Sequence, residues 1–343
     1  MSARQPETFL QLPLTEQRQL LLIHAATLNK PPAIIEKDLM VCLSLKCLFE
    51  MPDRYPMAFK GGTSLSKVYK VIDRFSEDID VSVHHGSLGA ADLPANASIQ
   101  KRKDRSEELD LLLRDYSKNE IFPYLTDRIR RECPNRIEVK VEKGGEELHL
   151  VYISALDNSD LFSYIKPAVK IELGGRNVTE PSEKHLIIPD IKAAFGNDFL
   201  LPEANVDVLS LGRTFWEKVT LVHAECNRLT LKPKIDRISR HWSDLARLSK
   251  HATISAMILD RALLKSVVEQ KSASFPSSSA NYDDCLSGTT KLIPGGILKA
   301  ALEEDYKQMV GSGMFHGDAL SFDEIMLYVS ELEKAVNKQD SLH

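Results

Sequence analysis

The apolar positions of this 343-residue chain change period along its length. Between 15 and 50 they recur at helical spacing, first Leu20, Leu21, Ile23 and Leu28, then Ile34, Ile35, Leu39, Val41 and Leu45. The breaker pair Pro31 and Pro32 separates two predicted helices. From 57 to 83 the pattern reads strand, turn, helix, strand. Leu65, Val68, Tyr69 and Ile72 fall at i, i+3, i+4 and i+7, which predicts a one-sided helix starting just after Gly61 and Gly62. Ile79, Val81 and Val83 then alternate with Asp78, Asp80 and Ser82, so one strand face is apolar and the other carries both carboxylates.

Gly86 to Ser98 is a loop of small residues, and 101–133 is a charged helical segment whose apolar positions include Leu109, Leu112, Leu113, Ile121, Leu125 and Ile129. Strands are predicted at 136–142, 147–155 and 168–173. In the last of these Val169, Ile171 and Leu173 alternate with Lys170 and Glu172, which puts a third carboxylate on a polar strand face, and Gly174 and Gly175 end it. After Pro202 the alternation disappears. Helices are predicted at 210–227, 235–250, 255–270, 297–309 and 322–337, and the serine-rich 272–284 reads as a loop among them. The expected fold class is α/β (α+β): a small mixed sheet with flanking helices over 1–204, then a helical domain over 205–343.

Composition narrows the function classes. With 43% hydrophobic and 27% charged residues the chain is ordinary globular material, long enough for two cores. It has no apolar run of membrane-spanning length and no leader pattern at its start, so a cytoplasmic protein with no membrane partner is expected. Five scattered cysteines read as reduced structural thiols. Serine hydrolase, zinc protease and P-loop motifs are all missing, and His149, His185, His223 and His251 lack ligand spacing. The net charge of −5 opposes a generally basic coat, yet 228–250 holds seven Lys or Arg against two Asp. That stretch reads either as a solvated helix face or as a groove for a polynucleotide.

The candidate chemistry lies at Asp78 and Asp80. An aspartate pair two apart is most often a solvated strand end. Here a double-glycine turn opens a helix upstream, and Glu172 stands on the polar face of another strand. Three carboxylates on neighbouring strands repel one another unless a cation lies between them, which makes a magnesium site the expected answer. Gly61 and Gly62 are either a tight turn or a phosphate cradle, and Thr63 and Ser64 are candidates for the helix N-cap.

Four collinear blocks carry a resemblance: GGTSL, RFSEDIDV, RTFWEKVTLVHAE at 213–225 and RISRHWSDLARL at 237–248. Together they resemble the AbiEii/AbiGii family of nucleotidyltransferase-like toxins, whose core is similar to the polymerase-beta-type nucleotidyltransferases. That resemblance covers about 57 to 250 and extends to the Asp305–Tyr306 pair and Met309. It implies a nucleotidyltransferase-type sheet, an NTP substrate, Mg2+ or Mn2+ as cofactor and a cognate antitoxin from abortive-infection or type IV toxin–antitoxin systems. Some members add nucleotides to the 3′ end of tRNA, so a tRNA acceptor and a block of translation and growth are implied as well. The family pattern makes Gly61, Gly62, Thr63 and Ser64 the nucleotide-binding turn, and Lys60 just before it is a further nucleotide-binding candidate. Asp78 and Asp80 become catalytic metal ligands; Glu172, read from its strand face, is expected to complete the metal site and to help deprotonate the attacking hydroxyl. Lys218 would reach the triphosphate, and Asp244, with Arg240 a turn earlier, would orient it. Ser76 matches a serine that is phosphorylated in some relatives by a kinase-like antitoxin; its plain reading is a turn residue at the strand entry. Trp242 and Ser243 stand where relatives more often have tyrosines. These roles imply a site in two halves, one in each domain. The alternatives are nucleotidylation of a protein or small molecule, and a non-catalytic NTP-binding module.

Overall fold

The computed structural model describes residues 6–91, 93–94, 97–157, 166–228, 230, 236–277, 279–312, 315 and 318–338. Its strands are β1 (Glu7–Thr8), β2 (Met57–Lys60), β3 (Ile79–Val83), β4 (Ile137–Glu142), β5 (Glu147–Tyr152), β6 (Ala168–Gly174), β7 (Ser182–Ile187), β8 (Phe199–Leu200) and β9 (Ala204–Leu209). The helices are α1 (Leu14–Leu28), α2 (Pro32–Phe49), α3 (Gly61–Lys67), α4 (Ile99–Tyr116), α5 (Phe122–Glu132), α6 (Lys192–Phe195), α7 (Leu211–Cys226), α8 (Arg240–Leu248), α9 (Ile254–Leu259), α10 (Arg261–Ser274), α11 (Gly296–Gly311) and α12 (Phe322–Asn337). Two compact units emerge. One comprises residues 1–63, 77–90 and 108–208; the other comprises 64–76, 91–107 and 209–343.

The first unit is built on a seven-stranded mixed sheet in the order β4-β5-β6-β3-β2-β9-β7, beside a two-stranded β1-β8 pair. Antiparallel β2 and β3 put Lys60 opposite Asp80, and parallel β3 and β6 put Asp80 opposite Glu172. The period-two pattern explains which face is buried: Ile79, Val81, Val83, Val169 and Ile171 are all in the core. Helix α2 begins at Pro32, whose ring is suited to the first helical position, and is buried along almost its whole length. Two charged residues inside it are paired. Glu36 accepts from Arg136 at 2.6 Å, and Lys37 meets Glu77 at 2.9 Å while also donating to the carbonyls of Lys166 and Ala168. Lys37 thus ties the residue before Asp78 to the start of the strand that bears Glu172.

The second unit is helical. Ser210 caps α7, Asp260 caps α10, and Ser321 with Glu324 forms a full capping box on α12. Its core gathers Phe215, Trp216, Trp242, Leu264 and Val329 with Leu65 and Ile72, which come from the segment 64–76. Both tryptophans satisfy their indole N–H while buried, Trp216 on the Met257 carbonyl and Trp242 on the Leu292 carbonyl.

Four expectations change. Strands β7, β8 and β9 occupy 182–209, between the last predicted strand and the first helix of the second domain, where no element is expected. The predicted helix over 65–72 stops at Lys67, because Val68 and Tyr69 both donate to the Ser64 carbonyl and Lys70 takes φ 52°. It also starts at Gly61 itself, so Thr63 and Ser64 lie inside its first turn and are not its N-cap. The span 255–270 is two helices parted at Asp260.

Candidate active site

The turn after β2 is shaped by its neighbour in the sheet. Gly61 has φ 80°, a conformation that L side chains rarely hold, and this lets the chain pass from strand directly into α3. A Cβ there would lie 2.8 Å from Cγ of Asp80, inside the carboxylate's own volume. The glycine is therefore required by the close approach of Asp80 as well as by the turn. Thr63 donates its hydroxyl to the Asp78 carbonyl, which fixes the backbone just before β3.

Asp78, Asp80 and Glu172 share the polar face of adjacent strands, as their spacing predicts. Among the described residues, however, no three acidic, histidine or cysteine side chains converge closely enough to hold a metal ion. The physical reason is Lys170. Its ammonium meets Asp78 Oδ2 at 3.0 Å and also bonds Glu172 Oε1. Carboxylate repulsion alone therefore does not demand a metal, since the sheet supplies a cation of its own. Burial disfavours the ammonium, but the Glu172 hydrogen bond and the Asp78 charge outweigh it and hold the Lys170 pKa above its ordinary value. The three side chains still suit a divalent cation in kind. They are hard oxygen donors on one face, and the ammonium bonded to two of them shows that positive charge is accommodated there.

The helical unit contains a second charged cluster. Arg74 grips Asp244 with two bonds, Nε to Oδ1 at 2.8 Å and Nη2 to Oδ2 at 2.9 Å, and Lys218 donates to Oδ2 at 2.8 Å. The side chains of Arg74 and Asp244 are only 4% and 1% exposed. Burial would raise the Asp244 carboxyl, yet Arg74 and Lys218 override it and hold the group well below the usual carboxylate range. Burial lowers the Lys218 pKa, against the pull of Asp244 and with the repulsion of Arg74 and Arg240. His241 is kept neutral by burial and by the same cations, and its Nδ1 has no hydrogen-bond partner. One carboxylate thus meets both Arg74 and Lys218.

The structure therefore brings Asp80, Glu172 and Lys60 into one row of the sheet, and joins Lys218 to Asp244 as the family pattern implies. Arg240 opens α8, and Ser76 lies just before Glu77, which Lys37 holds. Trp242 is a core side chain and Ser243 is buried, so neither is available to a nucleobase. In the basic stretch 228–250, Lys232 and Lys234 lie outside the described residues. Arg228 pairs with Glu225, Arg247 with Asp73 and Lys250 with Glu331, so the described part is not a bare cationic stripe. Sequence reasoning missed Lys170 and Arg74. The first had a signal, since it sits two residues before Glu172 on the same strand face; the second had none.

Carboxylates on neighbouring inner strands beside a glycine turn are compatible with nucleotidyl transfer, and the family match makes the chain a nucleotidyltransferase. The family described as Nucleotidyl transferase AbiEii toxin, Type IV TA system, matches residues 44–327, and the chain belongs to it. It is a nucleotidyltransferase toxin of a type IV toxin–antitoxin system, with an NTP as substrate and an antitoxin as partner. Among solved structures, MenT4, the nucleotidyltransferase toxin Rv2826c from Mycobacterium tuberculosis H37Rv, is similar over 94% of this chain and 90% of that one, with 16% identity and a TM-score of 0.49. No curated protein matches the sequence. No helix among the described residues is long and apolar enough to cross a membrane.

Proposed function

We propose that this enzyme transfers a nucleoside monophosphate from an NTP to the 3′ end of a tRNA, with Mg2+ or Mn2+, and so blocks translation and growth. The observation that carries the reading is the row formed by Lys60, Asp80 and Glu172 across β2, β3 and β6 beside the glycine turn. Asp78, Asp80 and Glu172 would hold the divalent cation. When bound, such a cation supplies the charge that neutralises triphosphate oxygens and makes the attacking hydroxyl more acidic. Glu172 accepts that hydroxyl's proton. Gly61 and Gly62 form the turn that receives the phosphate oxygens, and the Asp80 carboxylate packed against Gly61 holds that turn next to the cation's ligands. Lys218 serves as a point charge for the triphosphate and Asp244 aims it, a role supported by the 2.8 Å bond between them. Arg240 adds to the same field, and Ser76 is the proposed point of control by the antitoxin.

The deciding experiment offers each of four α-labelled NTPs to total tRNA and, separately, to a protein fraction, with and without Mg2+. Label in tRNA that depends on the cation is expected. Label in the protein fraction alone would replace the acceptor, and NTP binding with no transfer to any acceptor would leave a binding module.

Gly61→Ala tests the geometry of the turn. The added Cβ strains φ and evicts the Asp80 carboxylate, so the variant should fold with a loss of about 1–2 kcal/mol and lose transfer at least about tenfold. Denaturant unfolding and initial transfer rates measure the two effects. Full activity in a folded variant would mean that Asp80 does not need its place above Gly61.

A further inference from the structure

The Lys170 side chain is not explained by fold stability. It reaches across the polar face of β6 to two carboxylates on different strands, yet its side chain is 28% exposed and those of Asp78 and Glu172 are 30% and 39% exposed. Ion pairs this open to water contribute little to folding. A further carboxylate lies on the same face: Glu147 stands opposite Glu172 from β5 and is itself neutralised by Lys143 at 2.5 Å. A flexible four-carbon stem lets the ammonium leave without any change in the backbone, which a planar arginine fork held by two bonds would resist.

We propose that Lys170 is a tethered counter-ion: it closes the carboxylate site of the free chain, and a divalent cation binds there only by displacing it. The inference rests on the reading of Asp78, Asp80 and Glu172 as the cation's ligands. Its consequence is that the metal alone binds weakly. Lys170 sets that threshold, because every cation entering must overcome a covalently attached competitor bonded to two of the three ligands. The site is then held back from free metal in solution and is left to cations that arrive with the added attraction of a bound triphosphate.

The test titrates Mn2+ alone into the full chain without nucleotide, with free Mn2+ read by electron paramagnetic resonance. Lys170→Met keeps the stem and removes the charge, and should tighten Mn2+ binding by about tenfold, the scale of losing one like charge a few ångströms from the ion near the surface. Lys170→Arg keeps the charge and should not gain affinity. Lys170→Gln, run beside Lys170→Met with unfolding midpoints, guards against a variant that fails to fold. Equal or weaker Mn2+ binding in both uncharged variants overturns the proposal, as does an absence of binding in wild type and variants alike. Transfer assays keep the two readings apart. Wild-type transfer together with unchanged Mn2+ affinity in Lys170→Met sinks the counter-ion and spares the enzyme's proposed acceptor. Tighter binding without transfer to tRNA does the reverse.

Discussion

Asp80→Asn is expected to reduce nucleotide transfer on the order of a thousand-fold, the scale of removing a group that stabilises charge in the transition state, while leaving the unfolding midpoint almost unchanged. Asparagine has the shape of aspartate, so the contact above Gly61 and the backbone pairing with Lys60 and Glu172 both survive. Only the negative charge is lost. Asp80 stands between an acidic neighbour, Glu172, and a basic one, Lys60, so the repulsion relieved and the attraction lost largely offset and the fold changes little. Transfer rates measured beside a thermal melt separate chemistry from folding. Activity within tenfold of wild type, in a variant that melts normally, would remove Asp80 from the metal-binding role and with it the mechanism.

How far the sequence could carry the fold depends on how each strand is buried. Strand β6 is covered on one face and alternates strictly, and β3 does so up to Val81 before Ser82 is buried as well, so Ile79, Val81, Val169 and Ile171 mark them plainly. Strand β7 lies at the sheet's edge, with only Ile187 buried in Ser182–Ile187, and its polar residues leave no period to detect. Strand β9 did carry a signal. Ala204, Val206 and Val208 are buried and alternate with Asn205 and Asp207, but six residues after a proline and before a long helix are easily taken for a linker. The helix over 65–72 failed for a different reason. Leu65 and Ile72 do share a core, yet they reach it because the chain turns back at Lys70, and helical spacing is a coincidence of that turn.

The candidate site shows the same division between local and distant information. Asp78, Asp80, Glu172 and the glycine turn are local signals, and the register places Asp80 and Glu172 side by side. The strand period that found Glu172 also puts Lys170 beside it, so the ammonium between the carboxylates was readable once charge balance was counted across strands rather than within one. Arg74 was not readable. Its partner is 170 positions away, and nothing in the pattern near RFSEDID indicates that this arginine turns toward α8. Buried ion pairs between segments far apart in sequence have no periodicity, which is why Lys37 with Glu77 and Arg136 with Glu36 were equally silent.

That long-range cluster leads to the largest expected loss of stability. Asp244→Asn should destabilise the protein by about 3–5 kcal/mol, the cost of breaking a buried pair and leaving its partner uncompensated. Here two cations feel the loss, since Arg74 bonds the carboxylate twice and Lys218 once. An unfolding midpoint lower by roughly 10 °C follows for a chain of this size. Denaturant unfolding of Asp244→Asn, Arg74→Met and the double variant closes a cycle: the double variant should be more stable than the sum of the single losses predicts, because it no longer buries the Arg74 charge without a partner. The pH dependence has a definite sign. The folded carboxyl is held far below its unfolded value of about 3.9, so its contribution is complete above that pH and fades only as pH falls toward the folded value. Wild type therefore loses this stabilisation in strong acid, whereas the Asn variant lacks it at every pH and its stability curve is flatter below pH 4. A loss under about 1 kcal/mol at neutral pH would mean that water reaches Arg74 and Lys218 when Asp244 is gone, and that the cluster is no more than a surface ion pair in energy.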